Sequence, residues 1–268
     1  MIKSGGHITH GNRKLGLGLF QHFKNAMTLC WPADDHHRWS DLILKEYLAN
    51  RITCITGSRD GSKTRTISKA VLLDYYAFSE ETLTLMTSTN LRGLELRVWG
   101  DIKSLHELAK DRFDWLPGNV VDSKHGVFSD NVAEGDQVRD MRKGILCIPV
   151  LGSQGEFMGD ALRDFCGIKQ KRRRLIGDEL QHVPVSYLKV LDSLDKGDFK
   201  AAFIGNPIAD NGKALDRVSE PKDGWDSLGE VTKTKTWPNK YNGITINLVG
   251  TDSPNFDPET LNRYPYLA

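Results

Sequence analysis

Gly57-Ser58-Arg59-Asp60-Gly61-Ser62-Lys63-Thr64 follows a short β-branched run at 51–56 (Arg-Ile-Thr-Cys-Ile-Thr) and precedes a segment, 67–76, whose apolar residues recur at helical spacing. A small polar loop between a strand and a helix is where backbone N–H groups and a helix N-terminus converge on an anion. The eight residues fit G-x-x-x-x-G-K-[ST], with Ser62 in place of the last glycine. In that pattern the backbone from Gly57 to Ser62 faces phosphates, Lys63 reaches their β and γ oxygens, and the Thr64 hydroxyl ligates Mg²⁺. The plainer reading is a chance Gly-Ser-Lys-Thr in a flexible loop, and Ser62 keeps it open.

A second stretch argues against chance. Arg174-Leu175-Ile176-Gly177-Asp178-Glu179 is an apolar strand end that delivers two adjacent carboxylates. Hydrolysis of a nucleoside triphosphate needs a carboxylate in the metal shell, expected of Asp178, and a base in line with the γ-phosphate, expected of Glu179. A surface Asp-Glu pair at a helix start is the ordinary alternative. Together the loop and the acid pair predict a nucleotide triphosphatase that uses Mg²⁺. Ala201-Ala202-Phe203-Ile204 then closes on Gly205-Asn206-Pro207, which reads either as a plain turn or as a strand end where Asn206 senses the γ-phosphate.

Working outward, strands alternate with helices. Strands are expected at 51–56, 82–87, 144–150, 172–177, 201–205 and 244–249, and helices at 67–76, 94–108 and 184–194. Such alternation predicts an α/β fold with a mostly parallel sheet and helices on both faces. The polar, turn-rich stretch 111–142 suggests a hairpin or an excursion from the sheet. Residues 1–21, rich in Gly, Lys and His, read as a flexible leader, 22–220 as the core, and 221–268, where the pattern weakens, as a lid-like segment.

Composition narrows the classes without naming one. In 268 residues, 36 Lys+Arg balance 35 Asp+Glu for a formal charge of +1, so a polyanion must be met by a local patch. The apolar runs at 145–151 and 201–204 fall far short of the roughly 20 residues of a membrane span. Cys30, Cys54, Cys147 and Cys166 are scattered, with no C-x-x-C pair, and are expected to be buried thiols.

Taken with Thr251-Asp252-Ser253-Pro254-Asn255-Phe256, these stretches resemble the N-terminal ATPase half of the large subunit of tailed-bacteriophage terminases, over roughly 40–256. That family's phosphate loop is deviant, with an arginine near its start and a small residue before the lysine, as Arg59 and Ser62 are here. The resemblance implies a P-loop NTPase fold of the additional-strand ATPase type. It makes Arg59 a phosphate-sensing arginine, Lys63 and Thr64 the nucleotide and Mg²⁺ ligands, Asp178 the metal carboxylate and Glu179 the catalytic one. It makes Gly205, Asn206 and Pro207 a coupling motif. It further implies an ATP-driven motor moving double-stranded DNA into a procapsid, acting as a homo-oligomeric ring on the portal with a small subunit, soluble in the host cytoplasm. Twelve residues follow Phe256, so the family's nuclease domain is expected to be missing.

Weaker features are weighed beside it. Within the basic run 169–174, Lys169, Lys171, Arg172 and Arg173 are candidate DNA-phosphate contacts, against a solvated strand entry. Trp39, His36 and His37 are candidates to stack an adenine, against ordinary packing. Arg92, Arg97, Arg139, Arg142 and Arg163 are candidates for an arginine supplied in trans. Asp178-Glu179-Leu180-Gln181-His182 also reads as the box of a DExH helicase, which needs a second motor domain, and an assembly module with little turnover stands as the other alternative.

Overall fold

A computed structural model describes residues 13–34, 36–58, 61–129, 143–152, 154–194, 197–208 and 212–258. Its centre is a nine-stranded sheet in the order β3-β4-β5-β2-β6-β7-β1-β9-β8. The strands are β1 (Ile52–Gly57), β2 (Thr82–Ser88), β3 (Asn119–Val121), β4 (Gly126–Phe128), β5 (Gly144–Pro149), β6 (Arg172–Gly177), β7 (Asp198–Gly205), β8 (Lys235–Pro238) and β9 (Ile244–Leu248). From β5 through β2, β6, β7 and β1 to β9 every pairing is parallel, and β4 and β8 add antiparallel edges.

Burial follows from that position. Every residue of β1 and of β2 is buried, as expected of strands covered on both faces. Successive side chains go to opposite sides: Leu175, Ala201 and Phe203 enter one core, Ile176, Ala202 and Ile204 the other. The second of these cores is closed by α1 (Arg13–Cys30), α2 (Arg38–Ala49), α3 (Lys63–Ala77) and α5 (Gly100–Arg112). The first is closed by α6 (Gly159–Gly167), α7 (Val190–Leu194) and α8 (Ala214–Ser219). This is the doubly covered α/β sheet expected. β7 lies between β1 and β6, so one strand separates the loop-bearing strand from the acid-bearing one, which is the additional-strand arrangement.

Several expectations are corrected. The leader reading fails from Arg13 onward, because α1 runs to Cys30 and seats Met27 and Cys30 in the core with Phe20 and Phe23 against it. Residues 1–12 lie outside the described part. The boundary at 220 does not separate a lid from the core either. β9 pairs in parallel with β1 from Thr53↔Ile244 to Gly57↔Leu248, so the last segment supplies a strand beside the phosphate loop. The helix expected at 94–108 is longer and irregular: α4 (Leu91–Gly93) leads through a π-helical turn, Leu94–Trp99, into α5. The helix expected at 184–194 is a 3₁₀ turn, Val185–Lys189, continued by α7. Of the stretch 111–142, residues 119–128 form the β3–β4 hairpin on the sheet edge, and 130–142 lie outside the described residues.

No helix among the described residues is long and apolar enough to cross a membrane. The four cysteines are unpaired, with Cys30, Cys54 and Cys147 buried.

Candidate nucleotide site

The C-terminal ends of β1, β7 and β6 lie side by side, with Thr56 opposite Gly205 and Gly177 opposite Phe203. The candidate residues follow those ends, where open α/β sheets bind ligands. Gly57 has φ +140°, and a Cβ there would sit 2.3 Å from the Leu248 carbonyl oxygen of β9. Ser58 N–H donates to that same oxygen at 3.1 Å. Only glycine admits so close a strand, and the contact fixes where the loop leaves the sheet.

Arg59 and Asp60 lie outside the described residues. Gly61 passes over the Trp39 ring, which its Cβ would meet at 3.3 Å. Ser62 then takes the left-handed conformation (φ 52°, ψ 22°) at the N-cap of α3, and its hydroxyl lies 3.2 Å from His37 Nε2. A non-glycine residue pays for such a backbone on the order of 1 kcal/mol. Serine in place of glycine at this position is therefore tolerated at a modest cost. The first helical bond of α3, Thr66 N–H to the Ser62 carbonyl at 2.9 Å, leaves the N–H groups of Lys63 and Thr64 without acceptors in the helix, facing the loop.

Lys63 is 8% exposed. Its Nζ donates to the Gly57 carbonyl at 3.3 Å, to the Ser58 carbonyl, and to Asn206 Oδ1 at 3.0 Å. The sequence-predicted strand-end asparagine thus touches the sequence-predicted lysine from the neighbouring strand. Thr64 Oγ1 donates to Asp178 Oδ1 at 3.0 Å, joining the loop to the acid pair.

Asp178 is 3% exposed, and its Oδ2 has no hydrogen-bond partner. Burial, then the neighbouring Glu179 charge, pushes its carboxyl up to about 6. A buried carboxylate oxygen left over beside a hydroxyl is a hard-oxygen donor pair suited to Mg²⁺. Among the described residues no group of three or more His, Cys, Asp or Glu could cage a metal.

Glu179 follows in the left-handed region (φ 58°, ψ 39°), which turns its side chain away from the path of β6. Its Oε1 accepts from Arg97 Nη1 at 3.0 Å and its Oε2 from Gln181 Nε2. Gln181 Oε1 in turn accepts from Asn206 N–H at 3.2 Å. Pro207 is exposed just beyond.

Other sequence candidates land elsewhere. Trp39 is 1% exposed and donates through Nε1 to Thr234 Oγ1, so it packs beneath the loop and offers no face to a base. His37 caps α2 by accepting from Ser40 N–H, and His36 is half-buried. Of the arginines weighed for a trans role, Arg97 pairs with Glu179 of its own chain and Arg163 with Asp160, while Arg139 and Arg142 lie outside the described residues.

The basic run starts β6, at the opposite end of the strand from Asp178. Arg172 and Arg174 bind Asp74 and Asp198, and Arg172 stacks on Phe78, 3.9 Å from the ring centre. Arg173 reaches the Leu194 carbonyl. Arg172 is therefore spent inside the fold, a correction to its reading as a DNA contact. Lys169 is exposed, and Lys171 is exposed with Glu81 as its partner.

Arg97 and Gln181 were missed as partners of Glu179. The first carries no sequence signal beyond its charge, and the second stands two residues from the acid it holds.

No protein-family model matches the sequence, and no curated protein matches it. Solved structures do. The ATPase domain of the Thermus phage P74-26 large terminase is similar at a TM-score of 0.52 and 14% identity, covering 70% of each chain. A point mutant of that domain gives 0.51 and 13%, again over 70% of each chain. At such identity the likeness is one of fold. The chain has the fold of a phage large-terminase ATPase domain.

Proposed function

We propose that this chain hydrolyses ATP to drive a viral DNA-packaging motor. The observation that carries the ATPase reading is the Thr64–Asp178 contact at 3.0 Å, which brings the phosphate loop, the acid pair and, through Lys63, the Asn206 strand end into one site. The packaging reading draws support from the likeness of fold to a terminase ATPase domain.

In this reading the N–H groups at the start of α3 receive the phosphates. Lys63 exchanges its carbonyl and Asn206 acceptors for β- and γ-oxygens, so that Asn206 loses a partner when ATP arrives. Thr64 and Asp178 would hold the Mg²⁺ that accompanies ATP, whose charge neutralises the phosphate oxygens. Glu179 takes the proton of the attacking water. Arg97 holds one of its carboxylate oxygens and Gln181 the other, so the proton goes to a second lone pair that neither contact fills. Double-stranded DNA, a ring of like chains on a procapsid portal, a small subunit and the host cytoplasm complete the proposal. Lys169 and Lys171 stay as candidate DNA-phosphate contacts.

Steady-state ATP hydrolysis with and without linear duplex DNA tests it, with Lys63→Ala as control. Turnover raised by DNA and lost with Lys63→Ala is expected. Turnover indifferent to DNA contradicts the motor, and no turnover contradicts the enzyme.

A further inference from the structure

Gln181 stands between two functional elements that the sequence places 27 residues apart. Its amide is a fork. Nε2 donates to Glu179 Oε2, and Oε1 accepts from Asn206 N–H at 3.2 Å. Asn206 Oδ1 accepts from Lys63 Nζ at 3.0 Å. The bonds form an unbroken path from the phosphate lysine, through the end of β7, to the carboxylate proposed as base.

Three features show that this placement is built in. Gln181 is 3% exposed, so its amide is not a surface group meeting Glu179 by accident. It sits in the 3₁₀ turn Leu180–His182, which is anchored by the fully buried Leu180; a Cβ on Gly177 would come within 2.5 Å of the Leu180 side chain. And Gly205 makes room for it: a Cβ there would lie 2.5 Å from Gln181 Oε1. That crowding gives the glycine before Asn206 a reason independent of turn geometry, because any side chain would push the amide out of line.

We propose that Gln181 is a positioning residue: it aims the Glu179 carboxylate and ties its position to the end of β7, so that the base is set by the same strand end that Lys63 touches. The inference rests on Glu179 being the base of an ATPase, as proposed above. An amide is suited to this task because it offers a donor to the carboxylate and an acceptor to the backbone at once. A glutamate of the same shape keeps the acceptor, loses the donor and repels Glu179.

Two variants separate positioning from structure. Gln181→Ala removes both bonds, and Gln181→Glu keeps the shape and the Asn206 bond. With kcat, KM and the Kd of fluorescent ADP with Mg²⁺ measured for each, both variants are expected to lose kcat roughly 10- to 100-fold, the scale of a misplaced catalytic group. KM and Kd should stay within about threefold, since Lys63, Thr64 and Asp178 are untouched. Gln181→Glu provides the test if Gln181→Ala does not fold. Gln181→Glu turning over within about twofold of the parent chain overturns this inference alone. A parent chain that binds Mg·ATP without any turnover overturns the ATPase reading and this inference with it.

Discussion

At the scale of the residue, Asp178 shows how a site takes its chemistry from its surroundings. Burial and the adjacent Glu179 raise its carboxyl to about 6 from an ordinary 3.8. The folded chain therefore holds a proton that the unfolded chain has released between those values. Stability from this group is present below about pH 4 and lost as pH rises through 6, a loss of about 3 kcal/mol. Asp178→Asn, which carries no charge at any pH, should raise the thermal midpoint at pH 7.5 while weakening Mg·ADP binding. In the parent chain, Mg·ADP affinity should fall about tenfold for each pH unit below 6. Titration of fluorescent ADP at pH 7.5 and pH 5 checks this, and an affinity flat across that range contradicts the assignment of Asp178 to the metal. What was legible at this scale was chemistry by type and neighbour: Lys63, Thr64, Asp178, Glu179 and Asn206 were read from short local patterns, and the fold sets Thr64 against Asp178 and Lys63 against Asn206. What was illegible was pairing at a distance. Arg97 stands 82 positions from Glu179, and nothing local marks it.

At the scale of the element, the same long range misled the reading of β6. Its entry, Lys169 to Arg174, looks like a basic surface because the sequence shows charges and hides their partners. Asp74 is 100 positions from Arg174 and Asp198 is 24. Arg174 is 1% exposed, and both carboxylates reach it. Burial works against the ionised form of Asp74, but Arg174 and Arg172 outweigh it and hold its carboxyl below the ordinary range. Asp74→Ala should leave the buried Arg174 and the half-buried Arg172 short of a partner and cost about 3–5 kcal/mol in urea unfolding. Lys171→Ala, whose ion pair is exposed, should cost under about 1 kcal/mol. Equal losses from the two would contradict the internal role given to the network. The π-helical turn Leu94–Trp99 was illegible for a related reason: its apolar spacing reads as ordinary helix, while the turn carries Arg97, which contacts Glu179.

At the scale of the whole molecule, the alternation of strands and helices was enough to read a parallel sheet, because buried strands appear as continuous apolar or β-branched runs. The strand order was not readable, and it decides how the last segment is understood. β9 was found as a strand, yet the weakened pattern around it suggested an appendage. In the sheet it lies against β1, and the Leu248 carbonyl receives Ser58 N–H beside Gly57. Arg38, in α2, further binds Asp252 and Asp257 beyond β9. A chain ending at residue 220 should therefore lose the cooperative thermal transition of the full chain and become sensitive to limited proteolysis, since the edge of β1 and its apolar neighbours are uncovered. Retention of a full-size cooperative transition would restore the separate-lid reading. α1 was obscured in the opposite way: Gly16 and Gly18 mask a helix whose later apolar residues, Phe20, Phe23 and Met27, pack on the core.

The central claim is that Glu179 is the base of an ATP-hydrolysing site assembled from three neighbouring strand ends. Glu179→Gln keeps the size of the side chain and removes its ability to take a proton. Measured side by side for ATP binding and single-turnover hydrolysis with Mg²⁺, the variant should bind within about threefold of the parent chain and hydrolyse at least about 100-fold more slowly. Hydrolysis at the parent rate would contradict the account.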